Sequence, residues 1–160
     1  MTERVCAICK GPWPGKCKCA DNMEKGVDRI QAGAKKKFSE AVFAGELALA
    51  GDDFRRVIAT TKRTQLVIMS LLPAENIGAE THPDTDQALF VVAGEGVATI
   101  NGQSVPVTDN SVVYVPAGSR HDVVNVGMGS LKLFTVYSPP EHAPGTVHHT
   151  KADAAKEKKS

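Results

Sequence analysis

Short runs of β-branched and aromatic residues, each ended by a turn signal, fill the sequence from residue 54 to residue 137. Runs of this length and composition indicate β-strands. They cover residues 54–60, 64–72, 88–93, 97–101, 111–115, 121–126 and 131–137. Asn101-Gly102 tolerates positive φ at both turn positions and predicts a tight hairpin. So many strands without an intervening helix predict an all-β sandwich, barrel or jelly roll.

The 160 residues suffice for one ordinary domain with a short appendage, and their composition divides them into four segments. We assign the β-domain to residues 45–150. A helix is predicted at 21–44, where apolar residues recur at spacings of three and four. Residues 1–20 hold all four cysteines. Residues 151–160, which end Lys-Glu-Lys-Lys-Ser, are predicted to form a flexible tail.

Charge and hydropathy limit the partners and the location. Between residues 45 and 150, six Lys/Arg stand against eleven Asp/Glu, a net charge of −5 that suits a cation and argues against a nucleic-acid-binding surface. The longest aliphatic-rich run, 66–72, is far shorter than the roughly 20 residues that span a bilayer. The first residues contain no apolar stretch typical of a secretory signal. We therefore expect a cytoplasmic protein that does not enter membranes.

Two segments far apart along the chain carry the residues best suited to bind a metal. On a strand, residues two apart point to the same face, so Glu80 and His82 can converge inside a barrel. Gln87 opens the next strand and adds a further donor from a neighbouring position. His121 follows a proline-glycine turn, and Asn125, four residues later, shares its face.

These two segments resemble the paired motifs of the cupin family of small β-barrels. The second motif, G-x5-P-x-G-x2-H-x3-N, is matched by Pro116, Gly118, His121 and Asn125, with Asn110 in place of its opening glycine. The first motif contains H-x-H-x4-E-x6-G and reads here Glu80-x-His82-x4-Gln87-x6-Gly94. The resemblance covers about residues 45–155 and does not extend to the first 44 residues.

The resemblance implies a cupin-type double-stranded β-helix, with a divalent metal held in the barrel by Glu80, His82, Gln87 and His121. The family's first histidine is replaced by Glu80 and its glutamate by Gln87, so one carboxylate remains. Two imidazoles and one carboxylate also form the ligand set of non-haem Fe(II) centres. Mn, Zn and Ni fit the same residue types. Gln87 is then either a weak neutral ligand or a donor that orients a bound water.

Two functions fit such a site. We expect a metal-dependent enzyme, an oxygenase or an isomerase of small polar molecules, with Glu80 as the candidate catalytic base. The alternative is a non-catalytic module that binds a small ligand or a metal, which the weaker ligand Gln87 favours. The same residues also have a purely structural interpretation. A histidine on a barrel strand is more often packed than metal-bound, and Glu80 can pair with Arg120 or a lysine.

The cysteines form the pattern Cys6-x2-Cys9-x7-Cys17-x-Cys19. In a reducing compartment, four thiols at this spacing fit a tetrahedral zinc site, which would supply the folding energy that so short a segment lacks. A pair of disulfides and a loose thiol-rich tail are the alternatives. Residues 1–44 are a candidate docking element for another protein, and the cupin resemblance implies pairing into a homodimer.

Overall fold

The computed structural model of the chain describes residues 41–157. The chain divides into two units, residues 1–43 and residues 44–160. The cysteine segment with its predicted zinc site and the predicted helix up to residue 40 lie outside the described residues. Residues 41–43 also belong to the predicted helix at 21–44, and the structure shows that they are not helical.

Within the described range, the second unit forms two short helices and nine strands. The helices are α1 (Ala44–Ala50) and α2 (Lys151–Glu157). The strands are β1 (Arg55–Thr60), β2 (Gln65–Leu71), β3 (Asp86–Ala93), β4 (Gly96–Ile100), β5 (Gln103–Val107), β6 (Val112–Val115), β7 (His121–Asn125), β8 (Leu131–Ser138) and β9 (Val147–His148). No helix in this part of the chain is both long and apolar enough to cross a membrane.

The strands form two antiparallel sheets. The larger sheet has the order β6-β3-β8-β2-β1-β9 and the smaller one the order β5-β4-β7. Buried apolar side chains from both sheets form one core cluster, to which β2 and β8 contribute Met69 and Leu133 and the small sheet contributes Ala98 and Val123. This arrangement is a jelly roll and confirms the all-β prediction.

The Asn101-Gly102 turn connects β4 and β5 as predicted. Asn101 has a φ of +48° and Gly102 a φ of +82°, and the register pairs Ile100 with Gln103 across a two-residue loop. Both turn residues therefore lie in the left-handed region that this type of hairpin requires. Strand β5 itself is not among the predicted strands, because an exposed edge strand with polar residues and a proline lacks the usual strand pattern.

Helix α1 lies in the segment 45–150 that we predict as β throughout, so the prediction is wrong there. Its sequence, Ala-Gly-Glu-Leu-Ala-Leu-Ala, consists mainly of good helix formers. The helix buries Ala48 completely and packs on β2 and β8. Because α1 covers β2 on one side and the core covers it on the other, most of β2 is buried and its sequence is almost continuously apolar.

Helix α2 occupies residues that we predict as part of a flexible tail, and that prediction is wrong for residues 151–157. Asp153 N donates to Thr150 Oγ1 at 3.3 Å, and Thr150 N donates to Asp153 Oδ2 at 3.1 Å. This reciprocal pair is a capping box, which starts a helix. Ala154 is buried in the core cluster and anchors the helix to the domain.

Candidate metal centre

Backbone hydrogen bonds bring the two motif segments together. Glu80 and His121 form an isolated antiparallel bridge in which each N–H donates to the other residue's carbonyl at 2.9 Å. Gly118 has a φ of +78°, and its N–H donates to the carbonyl of His82 at 2.8 Å. Glu80 and His82 therefore do not lie on a regular strand, as the sequence analysis assumes. The bridge and the turn at Gly118 position them instead.

The side chains of Glu80, His82 and His121 are buried and converge, as the spacing predicts. One donor atom from each lies within 4.8 Å of the others. Glu80 Oε2 is 3.3 Å from His82 Nε2, and the centroids of the two imidazole rings are 5.3 Å apart. Metal–ligand bonds of about 2.1 Å place adjacent ligand atoms about 3.0–3.4 Å apart. Small adjustments would therefore let the three side chains hold one divalent ion.

His121 presents a nitrogen that fits a metal. Its Nδ1 is 3.0 Å from the carbonyl oxygen of Ser119. A carbonyl only accepts, so the proton is on Nδ1 and the lone pair is on Nε2. That Nε2 atom is buried and has no hydrogen-bond partner among the described residues. An imidazole held through one nitrogen, with the other available, is the usual state of a metal-binding histidine.

His82 lies between two carboxylates. Its Nε2 is 3.3 Å from Glu80 Oε2, and its Nδ1 is 3.0 Å from Glu141 Oε1. The neighbouring Glu80 carboxylate raises the pKa of His82, burial lowers it, and the charge of Glu141 raises it, so that the pKa lies above its ordinary value. A metal would bind at Nε2, while Nδ1 faces Glu141 and is oriented by it.

Glu80 pairs with Arg55, a partner that the structural interpretation does not name. Arg55 Nη2 donates to Glu80 Oε1 at 3.3 Å, and both side chains are buried. Arg120 is exposed, and its backbone N–H donates to Asn101 Oδ1 at 3.0 Å. The ion pair with Arg55 leaves Oε2 as the oxygen that faces His82.

Gln87 is buried in β3, which pairs with β6 and with β8. Its Nε2 donates to Thr135 Oγ1 at 3.0 Å, which fixes the orientation of the amide. Its Oε1 is buried and without a hydrogen-bond partner in residues 41–157. The role of Gln87 as a ligand or as a donor to a bound water therefore stays a prediction.

Asn125 has a structural role, which the sequence leaves open. The side chain is 1% exposed. Its Nδ2 donates to the carbonyls of Leu71 and Gly129, both at 2.8 Å, and its Oδ1 accepts from Gly127 N at 2.9 Å. Asn125 thus joins the end of β2 to the loop between β7 and β8, while His121 carries the candidate metal chemistry of this motif.

A cavity of about 400 Å³ adjoins the Glu80–His82 side of the three converging residues. Its ionisable lining consists of Arg55, Glu80, His82, Glu141 and His142, whereas His121 does not line it. The sequence analysis does not identify Arg55, Glu141 or His142 as site residues. Arg55 lies on a strand without clear alternation and the other two lie in a loop, so no periodicity indicates which way they face.

His142 is held rigidly beside the cavity. Gln65 Nε2 donates to the carbonyl of His142 at 2.7 Å, and His142 N donates to Gln65 Oε1 at 2.9 Å. The imidazole packs edge-on against Tyr137, with ring centroids 5.2 Å apart. Burial, followed by the positive charge of Arg55, lowers the pKa of His142 to about 3. The ring is therefore neutral near pH 7.

His142 is expected to make the folded protein less stable as the pH falls below about 6.5, the ordinary value of an imidazole. Between that value and the lowered pKa of about 3, the unfolded state binds more protons than the folded state. The free energy of unfolding therefore rises with pH in this window, and the contribution is complete only above about pH 6.5. Urea unfolding of wild type and His142→Gln at several pH values should give a steeper decline for the wild type. Parallel profiles would show that His142 does not titrate differently on folding.

Comparison with known proteins agrees with this architecture. The profile of the cupin domain matches residues 67–137. The uncharacterized protein YrkC of Bacillus subtilis is 44% identical over 108 residues, which cover 63% of this chain and 58% of that protein. An uncharacterized protein of Acanthamoeba polyphaga mimivirus is 38% identical over 107 residues, which cover 64% of this chain and 66% of that protein. The chain thus spans less than two thirds of the length of either relative.

A solved structure is similar to a larger share of this chain than either of these two relatives. The crystal structure of BH2720 from Bacillus halodurans superposes with a TM-score of 0.73 at 35% sequence identity, covering 78% of this chain and 97% of that one. Both motif segments, residues 80–94 and 110–125, fall within the residues that the cupin profile matches. Two antiparallel sheets, the matched domain profile and this likeness together show that the chain belongs to the cupin family.

Proposed function

We propose that the chain is a metal-dependent enzyme, an oxygenase or an isomerase, that acts on a small polar molecule beside a divalent ion bound by Glu80, His82 and His121. The observation that carries the proposal is the buried Nε2 of His121, which has no hydrogen-bond partner in residues 41–157 and belongs to the group of three converging donors. Leaving a buried polar atom without a partner costs about 1–3 kcal/mol. A bond to a metal would satisfy it.

The surrounding residues would hold the ligands in place. Ser119 fixes the proton of His121 on Nδ1, and Glu141 accepts from Nδ1 of His82. Arg55 engages one oxygen of Glu80 and leaves the other towards His82. Both imidazoles are thereby oriented by their second nitrogen, an arrangement that strengthens metal binding.

A bound ion with three protein ligands has open positions and supplies Lewis acidity or, in the case of iron, redox chemistry. Fe, Mn, Zn and Ni all fit the donor set. Glu80 remains our candidate for the catalytic base, since its carboxylate lines the cavity. The apolar part of the cavity lining consists of Ala79, Ala143 and Ala154, and Ala154 belongs to the core cluster.

The second candidate function is a non-catalytic module that binds a small ligand or a metal. The observation that favours it is Gln87, a neutral residue at the family's glutamate position, whose amide is engaged by Thr135. A homodimer, a structural zinc at the cysteines and a protein partner for residues 1–44 remain proposals alongside either function.

Nitric oxide binding to the Fe(II)-loaded protein would distinguish the two functions. Nitric oxide binds to non-haem iron only where a coordination position is open or readily vacated. If the site is that of an enzyme, the electron paramagnetic resonance signal of a high-spin iron–nitrosyl complex should appear. Its integrated intensity should correspond to one complex per bound iron. Iron that is retained in full but gives no such signal would support the binding module instead.

A further inference from the structure

Arg55 is a buried cation with more hydrogen-bonding capacity than the surrounding protein uses. Its side chain is 4% exposed, and Nη2 donates to Glu80 Oε1 at the long distance of 3.3 Å. Its Nε is buried without a hydrogen-bond partner in the described part of the chain. A guanidinium carries five N–H donors in a planar fork. Arg55 lines the cavity and therefore has donors available to a molecule bound there.

The charge of the cavity depends on the metal. Its titratable lining groups are Arg55, Glu80, His82, Glu141 and His142, of which His142 is neutral near pH 7. Counted without the imidazoles, the lining carries one formal positive charge, on Arg55, and two negative charges, on Glu80 and Glu141. A divalent ion would add two positive charges, so that the positive charges exceed the negative ones by one. A metal-loaded cavity therefore attracts an anion.

We propose that the cavity binds a small carboxylate and that Arg55 determines this specificity. The inference rests on the proposed metal site. One carboxylate oxygen would face the ion, and the other would accept from the guanidinium, which already lies beside Glu80. The planar fork of arginine matches a carboxylate in particular. A volume of about 400 Å³ is near the lower end for ligand sites, which restricts the occupant to a small molecule.

Calorimetric titration of the Mn(II)-loaded full chain with pyruvate, methyl pyruvate and inorganic phosphate tests the inference. Methyl pyruvate keeps the oxygens of pyruvate but removes its charge, and phosphate keeps a charge without the planar carboxylate. Pyruvate should bind at least about tenfold more tightly than either compound, because hydrogen bonds between charged groups are the stronger ones.

Variants of Arg55 test whether this residue is responsible for the preference for pyruvate. Arg55→Gln should weaken pyruvate binding by about 10- to 100-fold, and Arg55→Lys should give a smaller loss because it keeps the charge but not the fork. Arg56→Gln is the matched control. The side chain of Arg56 is 35% exposed and pairs with Asp53 outside the cavity, so this variant should bind pyruvate like the wild type.

Equal binding of pyruvate and methyl pyruvate, tighter binding of phosphate, or unchanged binding in Arg55→Gln would each overturn the inference. If Arg55→Gln does not fold, the inference is tested by pyruvate binding to Arg55→Lys and by the binding of the three compounds to the wild type. Manganese content is measured in every sample. Protein that binds none of Mn(II), Fe(II), Ni(II) and Zn(II) at the three converging side chains would overturn the proposed function, whereas protein that binds manganese without preferring pyruvate would overturn this inference alone.

Discussion

A His121→Ala variant is expected to bind divalent metal about 100- to 1000-fold more weakly than the wild type. Zinc sites with four ligands are worth about 10–16 kcal/mol, or about 3 kcal/mol for each ligand. The variant removes the nitrogen that has no other partner in the described chain, whereas the backbone bridge between residues 80 and 121 does not need the imidazole. Titration with Zn²⁺ and Mn²⁺ in the presence of a competing chelator measures the loss.

His149→Ala is the matched control for this loss. The His149 side chain is 75% exposed and contacts Asp53, which is not among the converging donors. The control should therefore keep the affinity of the wild type at the barrel site. If His121→Ala binds metal as tightly as His149→Ala, then His121 is not a ligand and the proposed centre is wrong.

An Asn125→Ala variant is expected to lower the free energy of unfolding by about 2–4 kcal/mol. The change removes three hydrogen bonds and leaves the carbonyl of Leu71 without its side-chain donor in a buried position. Denaturant unfolding should show a lower midpoint with an unchanged slope. The folded fraction should still bind metal, because the carboxamide is fully used by the backbone groups around it.

Asn110→Gly serves as the control for an asparagine that forms no such network. Asn110 is exposed and has a φ of +67°, a conformation that glycine adopts freely. The free energy of unfolding of Asn110→Gly should therefore stay within about 0.5 kcal/mol of the wild-type value. A loss in Asn125→Ala no larger than this would mean that Asn125 is not the structural residue its contacts suggest.

The fold was predictable where local chemistry decides it. Runs of β-branched residues gave seven of the strands, and Asn101-Gly102 gave the β4–β5 hairpin. The φ of Asn110 also explains how asparagine can stand at the position where the family motif has glycine, since asparagine tolerates the left-handed region better than most residues. The two helices, β5 and β9 were missed because each helix has only seven residues, β5 is an exposed edge strand with polar residues, and β9 has only two residues.

The candidate site was predictable only as far as its motif residues. The spacing of Glu80, His82 and His121 indicated that they converge, and the structure brings them together. The partners that orient them depend on which strands and loops become neighbours, and that is a property of the sheet order. Arg55 from β1 contacts Glu80, and Glu141 from the loop after β8 contacts His82, although each partner is far away in sequence.

Diffraction from crystals of the full chain grown with Mn²⁺ or Zn²⁺, measured on both sides of the absorption edge of the metal, tests the central claim most directly. We expect an anomalous peak about 2.0–2.2 Å from a carboxylate oxygen of Glu80 and from Nε2 of His82 and His121. A map without a peak among these three side chains, or with its metal only at the four cysteines, would contradict the account.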